Sequence, residues 1–166
     1  GPITSERLEV GALSGPAITG DTVTDVTCYG GSDGTIDIDA TGGSGTLTYT
    51  LSPGGNTNNT GEFTGLSAGN YSIEVQDEGG CSPVVAEVEV NQPDEIFINS
   101  TSTSNVECYG GSDGSIILSA EGGTGTLIYH LDPDNLENTT GDFRDLDAGT
   151  YTVEITDEEG CGPASA

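Results

Sequence analysis

The chain has 166 residues, with 28 Asp and Glu set against two basic residues, Arg7 and Arg144, giving a formal net charge of -26. That balance excludes nucleic-acid binding, which needs cationic contacts to phosphate, and disfavours anionic membrane surfaces. With 27 glycines, no Met and no Trp, the composition describes short strands and tight turns, and no stretch has the length or apolar periodicity of a membrane span.

Residues 1–13 come first and are read by comparison. Gly1–Val10 resembles Ser82–Val90 with one extra residue, and both follow the pattern found after a cysteine. The segment is therefore expected to be the closing strand of a preceding module, with Ile3, Leu8 and Val10 as its interface residues, or a leader remnant left by proteolysis. No export signal is visible, so any such signal is expected outside this sequence.

Residues 14–93 read as a first β-sandwich repeat. A mostly polar strand over 17–27 ends at Cys28. Ile36, Ile38 and Ala40 alternate with Asp37 and Asp39, so the apolar set faces inward. Gly42-Gly43-Ser44-Gly45 makes a turn of residues that tolerate positive φ. Leu47, Tyr49 and Leu51 line the next strand, and 52–60 reads as a loose polar loop. Phe63 and Leu66 anchor a short strand. After Ala68-Gly69 come Tyr71, Ile73 and Val75, then a closing strand with Ala86, Val88 and Val90, and the linker 91–94.

Residues 94–166 repeat this order 80 positions later without a gap. Cys108-Tyr109-Gly110-Gly111-Ser112-Asp113-Gly114 copies Cys28-Tyr29-Gly30-Gly31-Ser32-Asp33-Gly34, and Cys161 copies Cys81. The inward set recurs as Ile116, Leu118, Ala120, Leu127, Tyr129, Leu131, Phe143, Leu146, Tyr151, Val153 and Ile155. The second copy stops before its closing strand. Six to seven short strands per copy predict two tandem immunoglobulin-like antiparallel β-sandwiches. Tyr71 and Tyr151 open their strands after a Gly turn, where a corner tyrosine bonds back to upstream backbone.

Four cysteines in small glycine-rich modules point to disulfides and an oxidising, extracellular compartment. Cys28 pairs with Cys81, and Cys108 with Cys161, if an even number of strands separates them, most simply four. An odd count would put the two sulfurs at opposite ends and turn attention to Cys81 with Cys108.

No catalytic constellation is legible. His130 is the single histidine, has Thr50 as its counterpart in the other copy and reads as a surface residue. There is no lysine nucleophile and no base–orienter set common to both copies. Acid pairs are plentiful in so acidic a chain, and a glycosidase-type pair carries little weight. Calcium is the candidate cofactor, because it takes carboxylate and carbonyl oxygens from Asp- and Gly-rich turns. The candidate ligands are Asp33 with Asp77 and Glu78, and Asp113 with Asp157 and Glu158. The competing reading is that Asp33 and Asp113 cap tight turns. Asn58 and Asn138 occupy equivalent glycan-acceptor-like positions.

The run Cys-Tyr-Gly-Gly-Ser-Asp-Gly-(Thr/Ser)-Ile, then Gly-Gly-(Ser/Thr)-Gly-Thr-Leu-x-Tyr, Phe-x-x-Leu-x-Ala-Gly-x-Tyr and Asp-Glu-x-Gly-Cys, over 28–93 and 108–161, closely resembles the SprB-type repeat. Such repeats recur in giant cell-surface adhesins of gliding and marine Bacteroidota. The resemblance implies a secreted, surface-displayed, non-enzymatic array in adhesion or gliding motility, and a stalk or spacer role is the expectation drawn for this chain. Two alternatives stay open: a homopolymeric extracellular filament joined by β-strand donation, and a glycan- or surface-binding module. The expected partners are neighbouring repeats, identical subunits, or a surface or glycan ligand.

Overall fold

The structure, a computed structural model, describes Gly11 and residues 14–166. It is all-β. The first repeat contributes β1 (Pro16–Thr24), β2 (Gly34–Gly42), β3 (Leu47–Ser52), β4 (Asn56–Asn58), β5 (Glu62–Leu66), β6 (Gly69–Asp77) and β7 (Val84–Val90). The second contributes β8 (Phe97–Ser104), β9 (Gly114–Glu121), β10 (Ile128–Asp132), β11 (Leu136–Asn138), β12 (Asp142–Leu146), β13 (Thr152–Thr156) and β14 (Ala164–Ser165).

Each repeat splits its strands between two sheets, ordered β1-β2-β5 with β4-β3-β6-β7, and β8-β9-β12 with β11-β10-β13-β14. A three-stranded sheet facing a four-stranded one, with this exchange of strands between them, is an immunoglobulin-like sandwich. The alternation read from the sequence holds. Ile36, Ile38, Leu51, Ile73 and Val75 are at most 1% exposed, and Asp37 and Asp39 between them are exposed. In the second repeat Leu118, Tyr129, Leu131, Phe143, Leu146, Val153 and Ile155 form one buried cluster, with Ile116, Ala120, Leu127 and Tyr151 packed against it. The register shifts between Ile18 and Gly20 and again between Ile98 and Ser100, so even the irregularity of the first strand is copied.

Two corrections concern strand count. The polar loop expected over 52–60 contains β4, which pairs Asn56, Thr57 and Asn58 with Leu51, Thr50 and Tyr49. It was hidden because its side chains do not alternate in polarity and two of its three residues are exposed. The closing strand thought missing from the second repeat is begun by β14. Ala164 pairs with Ile155 and Ser165 with Glu154, the same register as Val84 with Val75 and Val85 with Glu74. The expected interface strand with Ile3, Leu8 and Val10 lies outside the described residues.

The chain forms two compact units. One runs to Thr24 and resumes over Thr35–Thr64 and Gly69–Val90; the other comprises Asp25–Gly34, Gly65–Ala68 and Asn91–Ala166. The division differs from the break expected between 93 and 94. The first repeat's Cys28 loop, 25–34, belongs with the second unit, for the reason given next.

Candidate functional site

Two local devices recur in each repeat. The first is the Cys-Tyr-Gly-Gly-Ser-Asp-Gly loop. Gly31 N donates to Cys28 O (3.0 Å) and Gly111 N to Cys108 O (2.9 Å). Asp33 Oδ1 accepts from Thr27 N (3.0 Å), and Asp113 Oδ1 from Glu107 N (3.1 Å). Each Asp side chain thus closes its loop by accepting from backbone six residues upstream. The Thr27 side-chain and backbone hydrogen bonds hold the Asp33 carboxyl below the ordinary aspartate range.

The second device is the Asp-x-x-x-Cys turn. Asp77 and Asp157 are 6% and 2% exposed, and both are fully engaged by backbone donors. Asp77 Oδ2 accepts from Ser44 N (2.8 Å) and Oδ1 from Cys81 N (2.9 Å). Asp157 Oδ2 accepts from Thr124 N (2.7 Å), and Oδ1 from Cys161 N (2.8 Å) and Glu159 N (3.0 Å). Each carboxylate thus ties the glycine turn to the cysteine turn, a buried charge compensated by hydrogen bonds. Gly43 and Gly123 sit at φ +74° and +68°, and a Cβ on either would lie within 3.0 Å of the Asp side chain. Glycine there serves conformation and close approach together. For Asp77 the Ser44 and Cys81 backbone bonds lower the pKa. Burial pushes Asp157 up, yet the bonds from Thr124, Cys161 and Glu159 outweigh it and the net shift is downward.

The candidate calcium ligands are not brought together as expected. In the second repeat Asp113 immediately precedes β9, while Asp157 binds Thr124 beyond the other end of that strand. Eight strand residues span about 25 Å. Glu78 and Glu158 lie over Gly45 and Gly125, beside Asp77 and Asp157 but away from Asp33 and Asp113. Among the described residues no group of three or more His, Cys, Asp or Glu side chains is placed to hold a metal ion.

The cysteines require the main correction. Cys28 is bonded to Cys161, 133 residues away, while Cys81 and Cys108 are free thiols. With β4 and β11 counted, five strands separate the two cysteines of a repeat instead of four. In the second repeat Cys108 therefore precedes β9 at one end of the sandwich and Cys161 follows β13 at the other. The odd count rules out pairing within a repeat, and the bond runs from the first cysteine of one repeat to the second cysteine of the next. The remaining expectation, Cys81 with Cys108, is not realised either.

The Cys28 loop is held by more than sulfur. Gly30 N donates to Gln92 Oε1 (2.8 Å), Val26 N to Asn91 O (2.9 Å), and Asn91 N to Asp25 Oδ1 (2.8 Å). Tyr29, Pro93, Ile96 and Pro163 line a shallow groove beside the disulfide. Sequence reading passed over Tyr29 and Gln92, although the repetition of the loop ahead of a linker was the available signal.

Other candidates resolve into structural parts. His130 is partly exposed, with Nε2 3.5 Å from Asp132 Oδ1, so it is the surface residue expected. Asn138 Oδ1 accepts from Thr140 N (2.9 Å) and Gly141 N (2.7 Å), and its Nδ2 donates to Asp142 O. Asn58 makes the same set with Thr60, Gly61 and Glu62. These amides shape a turn instead of presenting a free glycan acceptor. Tyr151 OH donates to Asp147 O (3.1 Å), the corner bond expected of it.

The SprB repeat family matches residues 20–56 and 100–135, one stretch in each copy. Each copy thus carries one stretch that matches the SprB repeat. No curated protein matches. Among solved structures the chain is similar to three N-terminal domains of the outer capsid protein Hoc of bacteriophage RB49 (20% identity, TM-score 0.47, 93% of this chain and 57% of that one). It is also similar to a C-terminal fragment of intimin, solved in complex with the intimin-binding domain of its translocated receptor (17%, 0.46, 90% and 62%). A third is Sidekick-1 immunoglobulin domains 1–5 (15%, 0.46, 94% and 38%). The chain thus spans less than two thirds of each, and its immunoglobulin-like class follows from the strand order above. Two SprB-repeat matches on an immunoglobulin-like sandwich support an extracellular adhesin repeat module, of a kind that is typically structural. No helix among the described residues is long and apolar enough to cross a membrane.

Proposed function

We propose that this chain is a passive link in a secreted, cell-surface adhesin or extracellular fibre. It contributes length and resistance to unravelling, in adhesion or gliding motility, and it is not an enzyme. The observation that carries this reading is the Cys28–Cys161 bond. A covalent tie from one repeat into the next gives nothing to catalysis but shortens the path along which tension is transmitted. The buried Asp157 turn fits the same role, since it holds the Cys161 end of that bond firm. Binding of the fluorescently labelled chain to glycan arrays and to bacterial and host cell surfaces tests it. The reading predicts no saturable binding, and saturable sub-millimolar binding to one glycan class would replace it with the glycan-binding alternative.

A further inference from the structure

We infer that Cys108 and Cys81 are the two halves of a second junction of the Cys28–Cys161 type, formed between copies of this chain: Cys108 of one copy bonds to Cys81 of the copy that follows it. The inference rests on reading the chain as a link of tandem repeats and adds the register in which links join.

Repeat equivalence supplies the pairing. Cys108 is Cys28 moved on by one repeat, and Cys81 is Cys161 moved back by one. The bonded pair shows what these two positions do when both partners are present, and the same rule applied to the unbonded pair yields one combination only. Both halves are already built. The loop bond Gly111–Cys108 and the Asp113–Glu107 cap reproduce those of the bonded loop. On the other side Cys81 N is held by Asp77 Oδ1 as Cys161 N is held by Asp157 Oδ1.

Exposure marks the unfilled state. Tyr109 is fully exposed, where its counterpart Tyr29 is 52% exposed beside the disulfide. A receiving repeat would cover Tyr109. Packing of this kind places two sulfurs at bonding distance without strand exchange.

The chemistry needs an oxidant, here a small-molecule disulfide such as oxidised glutathione. The Cys108 thiolate attacks one of its sulfurs, forming a mixed disulfide and releasing one thiol. The Cys81 thiolate of the second copy then attacks the Cys108 sulfur and releases the other thiol. Two protein thiols lose two electrons and two protons, and one small disulfide becomes two thiols. Asp77, by hydrogen bonding and by its charge, pushes the Cys81 thiol up, so the exchange accelerates as pH rises.

The test mixes equal amounts of two variants, C81S and C108S, each with the Cys28–Cys161 bond intact, in a glutathione redox buffer. Products are separated on non-reducing gels and the cross-linked peptides mapped by mass. The expected result is a Cys108–Cys81 heterodimer at least tenfold above either homodimer, and a ladder of multimers from the unmutated chain. Homodimers in statistical proportion, or no cross-link, overturn the inference. The outcome is separable from the function proposed above: a chain that binds a glycan yet cross-links in this register retires the passive link and keeps the junction. A chain that binds nothing and fails to cross-link does the reverse.

Discussion

Cys28 and Cys161 stand 133 residues apart in sequence with their Cα atoms 5.5 Å apart. The bond closes a loop that takes in nearly all of both repeats, and such a closure removes a large share of the entropy of the unfolded chain. Chain-entropy reasoning puts the effect at roughly 4–5 kcal/mol for a loop of this length. Reduction, or C28S with C161S, is expected to lower the melting temperature by about 10 °C or more. Calorimetry with and without reductant measures it. C81S and C108S are expected to leave the transition within about 2 °C, and a comparable fall in those variants would assign the stabilising bond to the wrong pair.

Asp157 to Ala removes an acceptor from three backbone N–H groups, those of Thr124, Glu159 and Cys161. Only the Cys161 N–H is buried, and the other two donors are part-buried, so the loss is expected at roughly 1–3 kcal/mol in all. Urea unfolding should show that loss, with an unchanged slope. An effect below about 0.5 kcal/mol would mean that water replaces the carboxylate freely.

The same carboxylates set a pH dependence. Asp33, Asp77 and Asp157 all have folded pKa values below the ordinary 3.8. A group depressed on folding stabilises above its unfolded pKa, and that contribution is lost as pH falls through its folded value. Stability should therefore stay level or rise slightly from pH 7 to about 4, as self-repulsion from a net charge of -26 relaxes. Below about pH 4 it should drop. Thermal melts from pH 2 to 7 check the shape, and the D77N D157N double variant should lose most of the acid limb.

How much of this was legible in the sequence depended on the kind of residue. Ile36, Ile38, Leu51, Ile73 and Val75 announce their strands because apolar and polar residues alternate on a pleat. Asn56-Thr57-Asn58 carries no such signal, since an edge strand with exposed polar side chains is defined by its backbone bonds alone. That one silent strand reversed the parity of the cysteines and with it the disulfide. The acidic residues illustrate a second limit. Asp77 and Asp33 look alike in a list of candidate ligands, and only the fold reveals that each is already occupied by backbone N–H groups. Tyr151, whose role follows from its place just after a turn, was readable.

Screening should matter more than any particular cation. Raising NaCl from 10 to 500 mM is expected to raise the melting temperature by several degrees, because the Debye length falls from about 30 Å to under 10 Å. Calcium chloride at matched ionic strength should give an equal shift, since Asp113 and Asp157 sit at opposite ends of β9. A saturable rise at micromolar to low millimolar calcium would instead restore a built calcium site.

Removing the Tyr151 hydroxyl is a milder probe. Tyr151→Phe keeps the ring against the second core and deletes the bond to Asp147 O. The bond is exposed, so the expected effect is a small fall in the melting temperature, well below that of Asp157→Ala. A neutral result would make the tyrosine a packing residue only.

Single-molecule stretching from the two chain ends is the sharpest measurement. With the Cys28–Cys161 bond in place, the residues between the sulfurs are shielded from tension, so full extension releases little chain. Reduction frees the 133-residue separation, adding roughly 450 Å of contour at about 3.5 Å per residue. A covalently stapled pair of repeats predicts that gain. Two successive unfolding steps of about equal length under oxidising conditions, unchanged by reductant, would contradict it.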